Sequence, residues 1–205
     1  IGAGWYEAEH TAYGFAFPDA AARFDSLTDQ LAIIDGLWST PAGETFSYAG
    51  TVHSVTDSPG LPKPVQQPIP IIIGGGGKTR TPALTAQYAT EYNVAFASVE
   101  TFVERKQRVA AACTAINRQT PMSYSAALVV CAGSSEADVV RRAAAIGREP
   151  ADLRQNGAAG SAEETAASIR KYTDAGADRV YLQVLDLSDL DHVDFIANEV
   201  APLLT

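Results

Sequence analysis

Four consecutive glycines, Gly74, Gly75, Gly76 and Gly77, follow the apolar run Ile69-Pro70-Ile71-Ile72-Ile73 and lead into Lys78-Thr79-Arg80. A buried strand that stops at bare glycine and turns into a helix leaves several backbone N–H groups free to point at one spot. Glycine lets an anion approach the backbone closely, and the helix N-terminus adds a favourable dipole. The chemistry this predicts is phosphate binding; the alternative is a flexible turn. Gly77-Lys78-Thr79 also supplies the end of the nucleotide-triphosphate loop G-x-x-x-x-G-K-[ST]. Ile72 stands where that motif needs its first glycine, and Pro82 falls where its helix should already be established. A P-loop-like nucleotide hydrolase therefore stands as a lesser alternative, with Asp186, at the end of Val184-Leu185-Asp186, as a metal-holding partner.

A second stretch, Gly2-Ala3-Gly4-Trp5-Tyr6-Glu7-Ala8-Glu9-His10, combines small residues with aromatic and titratable ones. Small residues at a strand end let a flat ring lie against the backbone, and Trp5 or Tyr6 could wall it. Glu7, Glu9 and His10 do not have the H-E-x-x-H spacing of a zinc site, and no second histidine is near. The plain reading is a solvated, helix-like turn; the functional one is the mouth of a substrate pocket, since functional loops cluster at strand ends. Ser98 comes straight after another strand and could share the phosphate with the glycines, or simply cap the next helix. No Ser-His-Asp or Cys-His set can be assembled, and no catalytic residue is assigned. Cys113 falls on an apolar helix face and Cys131 closes an apolar strand, so two cysteines make no disulfide framework.

The elements that must position these residues alternate. Asp19 is placed to cap a helix carrying Phe24, Leu27, Leu31, Ile34, Leu37 and Trp38 at three- and four-residue steps. Thr45 to Tyr48 and Thr51 to Val55 flank Ala49-Gly50 as a short hairpin. The proline-rich approach from Pro59 to Pro70 runs extended. Strands are expected at 69–73, 92–97, 123–131 and 179–185. Helices are expected at 81–90, after Ser98, after Ser135, after the capping box Ser161-Ala162-Glu163-Glu164, and over 191–204. Ile1-Gly2 reads as the tail of one more strand. Strand and helix in alternation predict an α/β fold with a parallel sheet and helices outside it. Five strands at most fall short of the eight of a full barrel, so a (β/α)8 barrel would be present only in part.

A chain of 205 residues with 46% hydrophobic and 19% charged residues can bury a real core. Its net charge of −9 argues against nucleic acid and anionic membrane as partners, because both call for a basic face. No apolar run approaches the ~20 residues of a membrane span, and no signal or targeting pattern is visible. A cytoplasmic protein that takes a small-molecule substrate is expected.

The ordered set Gly2 to His10, Tyr13-Gly14, Phe17-Pro18, Arg23-Phe24, Leu37-Trp38, Lys63-Pro64-Val65-Gln66, Pro68, Ile72 to Gly77, Asn93, Gly160-Ser161 and Ala175 to Asp178 resembles the luciferase-like monooxygenase superfamily. The match is closest to its actinobacterial coenzyme F420-dependent oxidoreductases and covers nearly the whole chain. The resemblance implies a TIM-type barrel, here its C-terminal part, about strands 4 to 8, in a single partial domain over 1–205 with a small hairpin insertion. It implies that Gly74 to Gly77, after the fifth strand, hold the cofactor phosphate, with Ser98 beside them. Gly2, Ala3, Gly4 and Trp5, after the fourth, would lie near the ring. The implied reaction is hydride transfer between coenzyme F420, or alternatively FMN, and a small organic substrate, in a homodimer. Family members carry three earlier strands whose loops supply much of the ring pocket, so a non-catalytic fragment of such an enzyme is the other reading.

Overall fold

A computed structural model describes residues 1–204; Thr205, the last residue of the expected single domain, lies outside them. Helix α1 (Glu7–Ala12) is short and exposed. Helix α2 (Ala20–Ser39) begins where Asp19 accepts a hydrogen bond from the Ala22 N–H at 2.8 Å. The antiparallel hairpin β1 (Phe46–Ala49) and β2 (Ser54–Ser58) follows. Its turn falls later than the expected Ala49-Gly50. The buried Asp29 carboxylate on α2 takes the N–H groups of Val52 and His53, at 2.6 and 3.0 Å, and so claims those residues for the turn.

The main sheet is parallel throughout. It contains β3 (Ile72–Gly74), β4 (Glu91–Ala95), β5 (Ser123–Ala132), β6 (Ala158–Gly160) and β7 (Arg179–Gln183). The helices between them are α3 (Arg80–Tyr88), α4 (Val99–Ala115), α5 (Glu136–Ala145), α6 (Pro150–Asn156) and α7 (Ala162–Asp174). Strand β3 is shorter than the expected 69–73 because Pro68 and Pro70 lack the N–H a ladder needs. Ile1 bonds to it as a strand would: its ammonium donates to the Ile72 carbonyl at 2.6 Å and its carbonyl accepts from the Gly74 N–H at 3.2 Å.

Strand β5 is ten residues long and serves two partners along one edge. Ser125 to Val129 pair with β7, and Val130 to Ala132 pair with β6. Strand β6 and helix α6 were not among the expected elements. Three small residues, Ala158-Ala159-Gly160, show no period of their own. The helix expected over 191–204 is instead α8 (Leu190–Phe195), a π turn (Ile196–Val200) and a 3₁₀ turn (Ala201–Leu204). Pro202 has no N–H with which to continue an α ladder.

The core lies between one face of the sheet and its helices. Tyr92, Val94, Ala126, Leu128 and Val130 pack on Phe102 and Val109 of α4 and on Ala166, Ile169 and Tyr172 of α7. Leu27 and Leu31 of α2 pack on Ile71, Ile73 and Leu84. The opposite face carries a polar layer. Glu91, 7% exposed, accepts from Ser125 Oγ (2.5 Å), Tyr181 OH (3.0 Å) and Arg179 Nη1 (2.9 Å), and Asn93 donates to Ser125. This inner face and the free edge of β7 make the molecule a partial barrel, open on one side.

Candidate functional site

The two glycine-bearing turns meet at the C-terminal end of β3. A Cβ on Gly2 would stand 3.3 Å from the Gly74 carbonyl oxygen, so the two backbones approach as closely as bare glycine permits. Gly4 has φ +79° and Gly75 φ +141°, conformations that side chains rarely adopt. Together Gly2 to Trp5 and Gly74 to Gly77 line one cavity of about 380 Å³, floored by Phe24, Leu27, Ile73, Leu84 and Thr81. The sequence-based site residues are thus brought together, with Ser98 apart from them. Ser98 caps α4: its hydroxyl accepts from the Thr101 N–H at 3.3 Å, and it does not line the cavity. Trp5 is 84% exposed and stacks loosely on Tyr6, ring centroids 5.2 Å apart.

The donors in this cavity are unspent. Among the described residues, the backbone N–H groups of Gly76, Gly77 and Lys78 donate to no protein acceptor. Thr79, which precedes α3, makes no side-chain cap, so the first N–H groups of that helix are open as well. The turn is held from below by Tyr92, whose phenol donates to the Gly75 carbonyl at 2.6 Å. Burial pushes that phenol up, while the charges of Arg105 and Arg108 draw it part of the way back.

Two side chains, one lining this cavity and one against its glycine turn from outside, have no counterpart in the sequence-based set. Thr81 is 2% exposed and sits against Gly75 and Gly77. Arg105 reaches the turn from α4, its guanidinium in contact with Gly76. A readable signal for Arg105 exists. It falls three residues after Phe102 and four before Val109, on the buried stripe of α4, where a charge is out of pattern. Helical side chains lean toward the N-terminus, which here is the sheet end where the glycines lie.

A second recess of about 340 Å³ shares Gly2 to Gly4 and is bordered by His10, Arg23, Ser26 and Gln30. Arg23 fastens its rim, bonding the Pro18 carbonyl and lying 3.9 Å over the Phe17 ring. His10 donates from Nδ1 to the Tyr6 carbonyl, 2.9 Å away, and packs on Phe17. Glu7 and Glu9 are exposed on α1. Among the described residues no cluster of His, Cys, Asp and Glu is gathered to hold a metal, and no helix is long and apolar enough to cross a membrane. Burial raises both thiols, and Cys131 donates to the Val139 carbonyl. Asp186 is occupied by Ser188, which donates to it from both its N–H and its hydroxyl, at 3.0 and 2.6 Å.

The sequence model of the luciferase-like monooxygenase family matches residues 1–188. Over 82 residues the chain is 38% identical to an F420-dependent glucose-6-phosphate dehydrogenase of Microbacterium testaceum, a stretch that is 40% of this chain and 23% of that relative. Among solved structures, an F420-dependent secondary alcohol dehydrogenase in complex with an F420-acetone adduct superposes with a TM-score of 0.80 at 16% identity. All of this chain is covered, and 68% of that one. The coenzyme F420-dependent tetrahydromethanopterin reductase of Methanopyrus kandleri gives 0.77 at 13% identity, covering 100% of this chain and 73% of that one. EDTA monooxygenase from Chelativorans gives 0.72 at 18% identity, covering 98% and 64%. At such identities these structures establish a shared α/β barrel fold.

Proposed function

We propose that the chain, which belongs to the luciferase-like monooxygenase family, is the phosphate-anchoring part of an oxidoreductase using a deazaflavin, coenzyme F420, or in the alternative FMN. The observation that carries this is the cavity at the end of β3, where the N–H groups of Gly76 to Lys78 are free. The residues fit a phosphate: unpaired donors, an uncapped helix end and positions where a side chain would fill the space. The F420-dependent relative and neighbours favour the deazaflavin.

When bound, such a cofactor supplies hydride transfer to or from a small organic substrate. The chain's own part is position and electrostatics. The glycine N–H groups hold one phosphate at the end of β3, and Tyr92 keeps their turn rigid. Gly2 to Gly4 offer flat backbone for a ring, with Trp5 at its edge. A nucleotide hydrolase is not favoured, because Lys78 is solvent-exposed and Asp186 is bound to Ser188.

Fluorescence titration with F420 and with FMN tests the reading. Binding of either at micromolar concentration supports it, and no binding of either at high micromolar levels overturns it. Replacing Gly75 and Gly76 with valine weakens binding; unchanged affinity refutes the role of the turn.

We also read residues 1–205 as one partial-barrel domain whose inner face is closed in the working enzyme by further strands. The exposed Tyr181 and Leu185 and the unpaired edge of β7 support this. The 205-residue chain then self-associates or binds an apolar dye. A dye-free monomer with a cooperative melt counts against it.

A further inference from the structure

We propose that the charge of the bound phosphate is met by Arg105 and its last oxygen by the Thr81 hydroxyl, and that Lys78, the cation within the loop itself, is a bystander. This rests on the cofactor-phosphate reading and names the side chains that complete it.

Thr81 is buried, yet among the described residues its hydroxyl makes no hydrogen bond. It lies 2.6 Å from where a Cβ on Gly77 would stand and 3.5 Å from one on Gly75, facing into the cavity the glycines line. The hydroxyl oxygen opens on the cavity rather than being sealed in the core, so a ligand there meets an unspent donor.

Arg105 is half-buried and, among the described residues, has no hydrogen bond and no carboxylate partner. That is unusual company in a chain of net charge −9. Arg80 pairs with Asp25, Arg108 with Glu104, Arg142 with Asp189, Arg154 with Glu136 and Arg179 with Glu91. Its Nη2 comes within 2.9 Å of the position a Gly76 Cβ would take, so any side chain at 76 displaces the guanidinium. Glycine at 76 thus makes room for the cation as well as for the anion. The planar guanidinium takes two phosphate oxygens side by side, an arrangement the lysine ammonium does not reproduce. Lys78 points into solvent, where its charge is screened.

The ligand class is a phosphate ester, and the probes are F420, FMN, riboflavin and inorganic phosphate. Arg105→Met weakens F420 and FMN binding roughly 10- to 100-fold, the loss of a charge-assisted bond. Thr81→Val weakens both by about 5-fold, and Thr81→Ser restores most of that. Lys78→Met changes affinity less than about 2-fold. Riboflavin, which has no phosphate, binds wild type and Arg105→Met alike. Inorganic phosphate competes with F420 on the wild type and fails to do so on Arg105→Met. Thermal melts identify variants that have lost their fold, and Arg105→Lys serves as the milder replacement, weakening binding at least 3-fold. A wild type that binds no probe removes the cofactor-phosphate reading and this inference with it. Wild-type binding that survives Arg105→Met and Thr81→Val, or is lost in Lys78→Met, or an equal loss for riboflavin, overturns this inference alone.

Discussion

Tyr92 and Gly75 are joined by a 2.6 Å hydrogen bond in which a phenol from the sheet's buried face supports the carbonyl of the glycine turn. The ring is 1% exposed, so the turn is tied to the best-packed part of the molecule. Tyr92→Phe keeps the ring and removes the tie. The expected cost is about 1 kcal/mol of stability, with a several-fold loss of cofactor affinity. Urea unfolding and fluorescence titration of the same variant separate the two effects.

At the far end of β5 a buried network sets the response to acid. Arg142 and Asp189 pair at 2.9 Å with side chains 7% and 9% exposed, and Arg142 also donates to the Ala132 carbonyl. The Ala132 N–H donates to Nε2 of His192 at 3.0 Å, so the neutral ring carries its proton on Nδ1. Burial, with the nearby charge of Arg142, lowers the His192 pKa below 6.5, against the pull of Asp189. The unfolded imidazole takes up a proton at a higher pH than the folded one. The stability drawn from the neutral ring is therefore complete above about pH 6.5 and is lost as the pH falls from there toward the folded value. Melting temperature is expected to drop between pH 7 and pH 5, and His192→Gln, which can still accept from Ala132, flattens that limb. Asp189 is held at about 2 by its bonds to Arg142, so its contribution disappears only between about pH 3.8 and 2. Arg142→Met strands this carboxylate and is expected to cost about 3 kcal/mol by chemical denaturation.

Asp29 governs the hairpin. Its carboxylate accepts from the His53 and Val52 N–H groups and from the Tyr48 hydroxyl, and these bonds lower its pKa. Asp29→Asn exchanges an acceptor pair for one acceptor and one donor. Hydrogen exchange is expected to speed up over residues 46–58 while the core of β4 and β5 stays protected. Uniform loss of protection counts against a local role.

Gly36 lies inside α2, where alanine would ordinarily stabilise a helix by about 1 kcal/mol. A Cβ there would enter the ring of Phe46 from β1. Overpacking of this kind costs about 1–3 kcal/mol, so Gly36→Ala is expected to lower the melting temperature despite its better propensity. Gly36→Ala combined with Phe46→Leu recovers part of the loss.

What could be read from residues alone follows the range of the forces involved. The caps at Asp19, Ser98 and Ser161 are legible because each side chain bonds a backbone N–H three residues on. The meeting of Gly2 to Trp5 with Gly74 to Gly77 is legible through the resemblance, which orders the strands. The hairpin turn is displaced by a carboxylate more than twenty residues away, and no local pattern records that. Strand β6 exists because β5 offers it an edge, and Ala-Ala-Gly has no alternation to betray it. Arg105 is hidden for a different reason: a scan for apolar periodicity passes over the charges, Arg105 and Lys106, that stand between Phe102 and Val109.

The shared edge of β5 has an evolutionary consequence. Its residues 125–129 hold β7, and its residues 130–132 hold β6. The excursion from Gly133 to Gly160, with α5, α6 and β6, thus occupies its own berth and leaves the β5–β7 seam untouched. A relative could lengthen, shorten or exchange that excursion and keep the same sheet. The overhang of β5 acts as a grafting point, through which the surroundings of the barrel mouth can diversify while the glycine turn after β3, three strands away, stays as it is.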